Sequence, residues 1–177
     1  MYLVAKKRIY NFEDKEKEKN KQIREIFPEM FETNNLDFVG IEFEAGYWRK
    51  ANAIHKWFVE NVQDGNDDCG EYVVSRENLE ELLCLCREVV SESVLVEGTV
   101  QNGYKYNGGK KIPILEVGKT ISNHEVASKL LPTGSGFFFG STNYDQWYYE
   151  NIKKTIEIIE KCLNLPDDWT FVYHSSW

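Results

Sequence analysis

The sequence concentrates aromatic and cationic side chains between residues 47 and 58. Two indoles, Trp48 and Trp57, stand there with Arg49 and Lys50. An aromatic ring stacks on a nucleobase while a guanidinium binds its phosphate, so this composition predicts contact with a nucleotide or RNA ligand. The predicted contact residues are Tyr47, Trp48, Arg49, Lys50, Asn52 and Trp57. The alternative is an ordinary amphipathic helix whose aromatic side chains belong to the core.

Two histidines are the candidates for acid–base chemistry. His55 lies at the edge of the apolar stripe of that segment, where a structural, hydrogen-bonded histidine is the alternative interpretation. His174 is followed by Ser175 and Ser176, the His-x-Ser form of phosphoesterases that pair two such motifs, but the second motif is missing. A nuclease or phosphodiesterase built on this chain would use His55 and His174 as its catalytic pair.

Ser141, Thr142 and Asn143 form a candidate anion site. They follow the apolar run at 136–140 and precede a long helical pattern that begins near Tyr144. Free amide groups and the dipole at the amino end of a helix can hold an anion. The Gly-Lys-Ser/Thr signature of a P-loop is absent, and helix capping alone is the alternative explanation of these residues.

No pattern in the sequence predicts a metal ion or a cofactor. The segment 64–70 begins like a calcium loop, but Cys69 stands where the loop needs glycine and Ser75 where it needs a bidentate glutamate. The three histidines and four cysteines show no zinc-ligand spacing. The cysteines are too few for a disulfide framework, so free thiols are predicted.

Hydrophobic periodicity predicts the elements that must position these side chains. Helices are predicted over 46–63, 75–90 and 144–163, with Ser75 as the cap of the second and a short helix before Pro132. The apolar stripes predicted for the second and third helices are Leu79, Leu82, Leu83, Cys86, Val89 and Val90, and Tyr148, Ile152, Thr155, Ile159 and Cys162. Strands are predicted over 2–10, 36–44, 71–74, 136–140 and 169–173, and the turn Asn107-Gly108-Gly109 predicts a hairpin within 94–117. Phe38, Ile41 and Phe43 are core candidates. The expected fold is a single α+β domain over 1–177, with a mainly antiparallel sheet packed against about three amphipathic helices.

Charge limits the class of partner. The chain has 21 Lys and Arg against 29 Asp and Glu, a net charge of -8. Residues 27–100 alone contain 5 Lys and Arg residues and 16 Asp and Glu residues. Sequence-neutral nucleic-acid binding needs a basic surface, so general DNA binding is not expected, although a local basic site is compatible with these numbers. No stretch has the form of a membrane span or a signal peptide, so we expect a cytoplasmic protein without a membrane partner.

Several short motifs occur together along the chain. They are Met1-Tyr2-Leu3, Tyr47-Trp48-Arg49-Lys50-Ala51-Asn52, Ile54-His55, Trp57-Phe58, Cys69-Gly70-Glu71-Tyr72, Leu131-Pro132-Thr133, 136–141, Tyr144-Asp145 and Ser175-Ser176-Trp177. As a set they resemble a family of small proteins encoded by bacteriophages, prophages and related mobile elements. The resemblance covers most of the chain and brings no established active site. Family members often begin Met-Gly-Leu-Asp-Met-Tyr-Leu, so Met1 is expected to correspond to a position inside that start.

A phage setting implies a role against host defence. Accessory phage proteins of this size often inhibit an effector such as a Cas nuclease, sequester a nucleotide signal, or degrade the RNA or nucleotide on which the defence depends. The resemblance therefore implies, as the leading hypothesis, a non-enzymatic counter-defence (anti-CRISPR-like) protein in the host cytoplasm that binds a nucleic-acid-handling effector or its nucleotide signal. The alternative is a nuclease or phosphodiesterase that acts through His55 and His174.

Overall fold

The computed structural model describes residues 1–30, 37–136 and 141–176. Within these ranges five α-helices and six β-strands are present. In chain order they are β1 (Tyr2–Tyr10), α1 (Lys17–Ile26), β2 (Phe38–Tyr47), α2 (Asn52–Asn61), β3 (Tyr72–Val74), α3 (Arg76–Glu92), β4 (Leu95–Asn107), β5 (Lys110–Ile121), α4 (Glu125–Leu130), α5 (Gln146–Leu163) and β6 (Thr170–His174). Short 3-10 helices at Asp14–Glu16 and Pro28–Met30 flank α1. The predicted α+β class is confirmed, and the strands pair antiparallel.

Four strands form the central sheet, in the order β2-β1-β6-β3. Leu3 of β1 pairs with Tyr173 of β6, and Ala5 pairs with Phe171. Val74 of β3 pairs with Phe171 on the other side of β6. Because side chains alternate along a strand and paired residues share a face, these apolar side chains lie on one face of the sheet. All of them are buried, so this face carries the core.

Three amphipathic helices, α2, α3 and α5, contribute the other half of the core. The α3 helix begins with a capping box: Ser75 Oγ accepts from the Asn78 backbone N–H, and Asn78 Oδ1 accepts from the Ser75 N–H. Apolar residues at helical spacing then face α5. The buried stripes of α3 and α5 are confirmed as predicted and include Leu79, Leu82, Leu83, Cys86, Val89, Tyr148, Ile152, Thr155, Ile159 and Cys162.

The helix predicted over 46–63 begins later than the sequence pattern indicates. β2 continues to Tyr47, and α2 starts only at Asn52. Between them Lys50 has a φ of 61°, in the left-handed region that a right-handed helix does not contain. The prediction is therefore wrong for residues 46–51, because helical periodicity alone does not reveal a turn of this kind.

The core candidates on β2 are also corrected. Phe38, Ile41 and Phe43 are 39–42 % exposed. β2 is an edge strand of the four-stranded sheet, so its side chains have a neighbouring strand on one side only and are covered incompletely. The buried side chain in this part of β2 is Val39.

β4 and β5 form a separate two-stranded hairpin, as predicted. Gly108 and Gly109, with φ of 55° and 78°, connect the strands, which is the backbone that a two-residue primed hairpin turn requires. The base of the hairpin is packed into the body through Val100 and Ile121, which are both buried. Beyond Val100 the described side chains of the hairpin are mostly exposed, so the hairpin projects as an arm.

Three further predictions concern a strand, the cysteines and the membrane. The strand predicted over 136–140 lies almost entirely outside the described residues. The four cysteines are free thiols, with Cys86 and Cys162 buried. No helix in the part of the chain that the structure describes combines the length and the apolar character needed to cross a membrane.

Candidate ligand-binding cleft

A cleft of about 820 Å³ lies between the amino ends of α2 and α5 and the β4–β5 hairpin. Its volume falls within the usual range of small-molecule sites, about 300–1,000 Å³. Arg49, Lys50 and Asn52 line it from the start of α2, and Ser141 lines it from the loop before α5. The structure thus brings four of the predicted contact residues, from two distant segments, to one place.

The turn before α2 supplies positive charge to the cleft. Arg49 and Lys50 are both exposed and both line it. The α2 helix has no side-chain cap, and Ala53 and Ile54 of its first turn also line the cleft. Uncapped N–H groups at a helix amino end carry a partial positive charge. Together these groups suit an anion such as a phosphate.

Asn52 organises the loop on one side of the cleft. Its Nδ2 donates to the carbonyl oxygen of Ser141 at 2.9 Å, and its Oδ1 accepts from the Gly134 N–H at 3.3 Å. Thr133 adds a second tie, because its Oγ1 donates to the carbonyl oxygen of Thr142 at 2.9 Å. Asn52 is buried and its amide is used in these bonds. The exposed ligand contact predicted for Asn52 is therefore replaced by a positioning role.

Asp145, and not the segment 141–143, caps α5. Its Oδ1 accepts from the backbone N–H groups of Trp147 and Tyr148 at 2.9 and 3.1 Å. Burial raises the pKa of this carboxyl even though both backbone bonds lower it.

The predicted anion site at the α5 amino end is contradicted, because a carboxylate already occupies that end of the helix. Ser141 Oγ instead accepts from the Asn143 N–H at 3.0 Å within a local turn. Thr142 and Asn143 are exposed and lie outside the cleft lining, so Ser141 alone of the three faces the cleft.

Aromatic side chains line the cleft from elements other than α2. Tyr104 and Tyr106 come from β4, and Trp147 comes from the first turn of α5. Tyr106 is 72 % exposed and Trp147 is 49 % exposed. Open aromatic faces of this kind stack on planar rings such as nucleobases.

A β-bulge interrupts β4 at the cleft. Gln101 pairs with Leu115, but the next recorded pair joins Tyr104 to Pro113. β4 therefore has one more residue than β5 between these pairs. Gly103, with a φ of 88°, lies in the bulge, where a residue with a Cβ would be strained.

The bulge decides which way the tyrosines face. Along a regular strand, residues three positions apart point to opposite faces, and the bulge cancels one step of this alternation between Gln101 and Tyr104. With it, Tyr104 and Tyr106 share the face of Gln101, which lines the cleft. Without it, they would share the face of Val100, which is buried against the body of the protein.

The formal charges around the cleft balance. Arg49 and Lys50 oppose the carboxyl groups of Asp145 and Glu150. Asp145 is buried, whereas Glu150 is exposed. Attraction for an anion is therefore local to the turn before α2, and stacking must contribute the larger share of affinity for an aromatic ligand.

Trp48 and Trp57 do not contribute to the cleft. Trp48 is 1 % exposed, and its Nε1–H donates to Thr155 Oγ1 at 2.9 Å. Trp57 is 5 % exposed and packs edge-on against Phe58, with ring centroids 5.3 Å apart. The predicted ligand contact through these indoles is wrong because both rings belong to the core, as the alternative interpretation of the segment expected.

His55 is a buried, hydrogen-bonded side chain. Its Nδ1 lies 2.7 Å from the Tyr173 hydroxyl and its Nε2 lies 3.1 Å from Asp67 Oδ1. Burial lowers the pKa of His55 despite the raising effect of Asp67, and burial raises the pKa of Tyr173. A neutral imidazole that accepts from the Tyr173 hydroxyl and donates from Nε2 to Asp67 satisfies both bonds. The structural interpretation of His55 is thus the one that fits its surroundings.

His174 and Tyr47 lie on the opposite face of the sheet from His55. Tyr2 pairs with both of them in the adjacent strands, and its ring stacks on His174 at 4.9 Å and tilts against Tyr47 at 5.2 Å. Tyr173, the partner of His55, is the neighbour of His174 along β6 and so points to the other face. The predicted catalytic pair His55 and His174 is wrong because the sheet separates the two side chains. Tyr47 is likewise outside the cleft lining.

Sequence reasoning missed the aromatic residues of the cleft. A signal for them exists in the stretch 98–115, which contains three lysines and no Asp or Glu in an otherwise acidic chain. Within it Tyr104 and Tyr106 stand two positions apart beside a hairpin turn, which places them on one face of a strand. Trp147 has no comparable signal, because only the approach of α5 to the hairpin brings it there.

Within the described residues, no group of three His, Cys, Asp or Glu side chains is arranged to hold a metal ion. Comparisons with protein-family models, with curated proteins and with solved structures found no match. These comparisons therefore assign neither a family nor a function to the chain.

Proposed function

We propose that this protein binds a nucleotide-class ligand in the cleft and sequesters it. The observation that supports the proposal is that one cleft is lined by the cations Arg49 and Lys50 and by the rings of Tyr104, Tyr106 and Trp147. A nucleotide carries a phosphate for the first group and a planar base for the second.

Sequestration is favoured over turnover by the chemistry of the lining. Among the described residues that line the cleft there is no histidine or cysteine. Asp145 is occupied as the cap of α5, which leaves Glu150 as the carboxylate available to a bound ligand. Activation of a nucleophile needs a base that a second group orients, and the hydrogen bonds of the lining supply no such pair.

The resemblance to phage-encoded proteins suggests a biological role for this binding, which is to counter host defence. A protein that holds a nucleotide signal of host defence lowers its free concentration without any chemical step. Of the two leading roles, inhibition of a host effector and sequestration of its signal, the cleft favours the second, because its volume suits a small ligand.

Calorimetric titration with AMP, GMP and UMP, their nucleosides and inorganic phosphate tests the proposal. We expect at least one nucleotide to bind more tightly than its nucleoside or phosphate, because each of these keeps only half of the contacts. Arg49→Gln is expected to weaken nucleotide binding about tenfold, the size of one charge-assisted hydrogen bond, and to leave nucleoside binding unchanged.

Lys15→Gln is the matched control, since it removes an exposed cation outside the cleft. Binding of no nucleotide by the native chain, or equal affinity in the native chain and Arg49→Gln, overturns the proposal. Conversion of the bound nucleotide to a product during the titration overturns sequestration and restores an enzymatic role.

A further inference from the structure

We infer that the ligand is a linear single-stranded oligonucleotide whose consecutive bases stack on Tyr104 and Tyr106 of the β4–β5 hairpin. This inference rests on the proposed function and specifies its ligand. It is carried by the two tyrosines on one strand face, by the bulge that turns them to the cleft and by the charge of the hairpin stretch.

The spacing of the tyrosines provides two stacking platforms. Residues two apart on a strand lie about 6.7 Å apart on the same face. One base covers one ring, so a mononucleotide anchored near Arg49 leaves the second ring unused. Tyr106 lies further along the arm than Tyr104 and is the more exposed of the two. A second base, linked to the first through the sugar–phosphate backbone, fits this arrangement.

The charge of the hairpin suits a backbone that continues along the arm. Lys105 and Lys110 are exposed, and residues 98–115 contain no Asp or Glu. By register, Lys110 opposes Asn107 and shares its face with Lys105, on the side away from the tyrosines. The two strands of the hairpin are only about 5 Å apart. A phosphate at the edge of the hairpin therefore lies within a Debye length, about 10 Å, of both ammonium groups, and its attraction to them is only partly screened.

Two acidic groups limit this attraction. Glu116 Oε2 accepts from the side chain of Asn102 at 3.0 Å, and Glu150 lines the cleft. We therefore expect stacking to dominate over the lysines in binding an oligonucleotide. The lysines contribute a smaller, salt-dependent part.

Binding of a 5′-mononucleotide, a linear dinucleotide, a cyclic dinucleotide and an eight-nucleotide single-stranded RNA distinguishes the possible ligands. The linear dinucleotide and the octamer are expected to bind about tenfold more tightly than the mononucleotide, the effect of one additional stacked base. Tyr106→Ala is expected to remove that gain, so that this variant binds the dinucleotide and the octamer no more tightly than the mononucleotide. The double variant Lys105→Gln/Lys110→Gln is expected to weaken octamer binding about threefold at low salt, against no change in the control Lys17→Gln/Lys21→Gln on α1.

The exchange Tyr104→Lys/Lys105→Tyr tests the orientation of a ring without changing the composition of the arm. Successive side chains on a strand point to opposite faces, so the exchange places the first ring on the face away from the cleft. We expect the same loss of octamer binding as in Tyr104→Ala, with an unchanged far-ultraviolet circular dichroism spectrum and urea midpoint.

The outcomes separate this inference from the proposed function. Three results overturn the inference and leave nucleotide binding in place. They are equal affinities for the mononucleotide and the linear oligonucleotides, unchanged octamer binding by Tyr106→Ala or by the Tyr104→Lys/Lys105→Tyr exchange, and tighter binding of the cyclic dinucleotide than of the octamer. Failure of all these ligands to bind overturns both.

Discussion

Trp48 and His55 show how burial decides what a reactive or aromatic side chain does. Both stand in the segment with the densest chemistry in the sequence, and both are buried. Each polar atom that these side chains carry has a hydrogen-bond partner within the protein: Thr155 for the indole, Tyr173 and Asp67 for the imidazole. A buried polar group must be paired, so these bonds stabilise the fold and leave no atom for a ligand.

The buried His55 predicts a specific dependence of stability on pH. Because burial lowers the pKa of the folded His55, the unfolded chain binds a proton first as the pH falls. His55 therefore reduces the free energy of unfolding as the pH falls below about 6.5, the unperturbed value, and this loss ends below the folded pKa. A difference of one pKa unit corresponds to about 1.4 kcal/mol.

Urea unfolding between pH 8 and pH 5 measures this effect. The difference between the native chain and His55→Gln is expected to be constant above pH 7 and to shrink as the pH falls through 6.5. His174→Gln, on the opposite face of the sheet, serves as the control and is expected to retain the pH dependence of the native chain. A His55→Gln profile parallel to the native one contradicts the prediction.

At the scale of elements, the amino ends of α2 and α5 have opposite roles. α5 is closed by Asp145, whereas α2 has no side-chain cap and faces the cleft beside Arg49 and Lys50. A capped helix end is neutralised, and an uncapped one keeps its attraction for anions. This difference between the two helices places the proposed phosphate contacts on the α2 side of the cleft.

The cap of α5 can be tested by its contribution to stability. Asp145→Ala is expected to lower the free energy of unfolding by about 1–2 kcal/mol, because two N–H groups in the first turn of α5 lose their acceptor. Thr142→Ala, in the segment 141–143 for which helix capping is the alternative to an anion site, is expected to change it by less than about 0.5 kcal/mol. Chemical denaturation of both variants measures the difference, and a larger effect of Thr142→Ala would return the cap to that segment.

The part of the hairpin beyond Val100 is not needed by the core. Its residues are mostly exposed, and Gln101 pairs with Leu115, so an Asn-Gly turn in place of 102–114 keeps the native register. This replacement is expected to change the free energy of unfolding by less than about 1 kcal/mol. The same truncation removes Tyr104 and Tyr106 and is expected to abolish octamer binding. Calorimetry and urea unfolding of the truncated chain check both statements. Loss of the folded state would show that the arm contributes to the core.

At the scale of the whole molecule, net charge restricts what the cleft can bind. With a charge of -8, the protein as a whole repels polyanions, and attraction is local to the cleft and the hairpin arm. Duplex DNA offers no free base for stacking and presents the full phosphate charge density. At about 150 mM salt we therefore expect a duplex to bind with a Kd weaker than roughly 10⁻⁴ M, the weak limit of non-specific binding. Fluorescence anisotropy with a labelled duplex measures this, and affinity equal to that for single-stranded RNA contradicts it.

Much of the fold was predictable because it follows from local patterns. The stripe of α3, the Ser75 cap and the Asn107-Gly108-Gly109 turn are set by residues close in the chain, and each was confirmed. The start of α2 and the exposure of Phe43 were not predictable in this way. One depends on a left-handed residue at position 50 and the other on the place of β2 at a sheet edge.

In the candidate site, too, some features follow from the local sequence and others only from the tertiary structure. Arg49, Lys50 and Ser141 were predicted from residue type, because cations beside aromatics and a polar segment before a helix are local signals. Their convergence, the burial of Trp48 and the separation of His55 from His174 were decided by tertiary structure. The physical reason is that composition and periodicity determine which element forms and which stripe is apolar. Which face of a sheet or which side of a bulge a side chain occupies depends on strand order, register and packing between residues far apart in the chain.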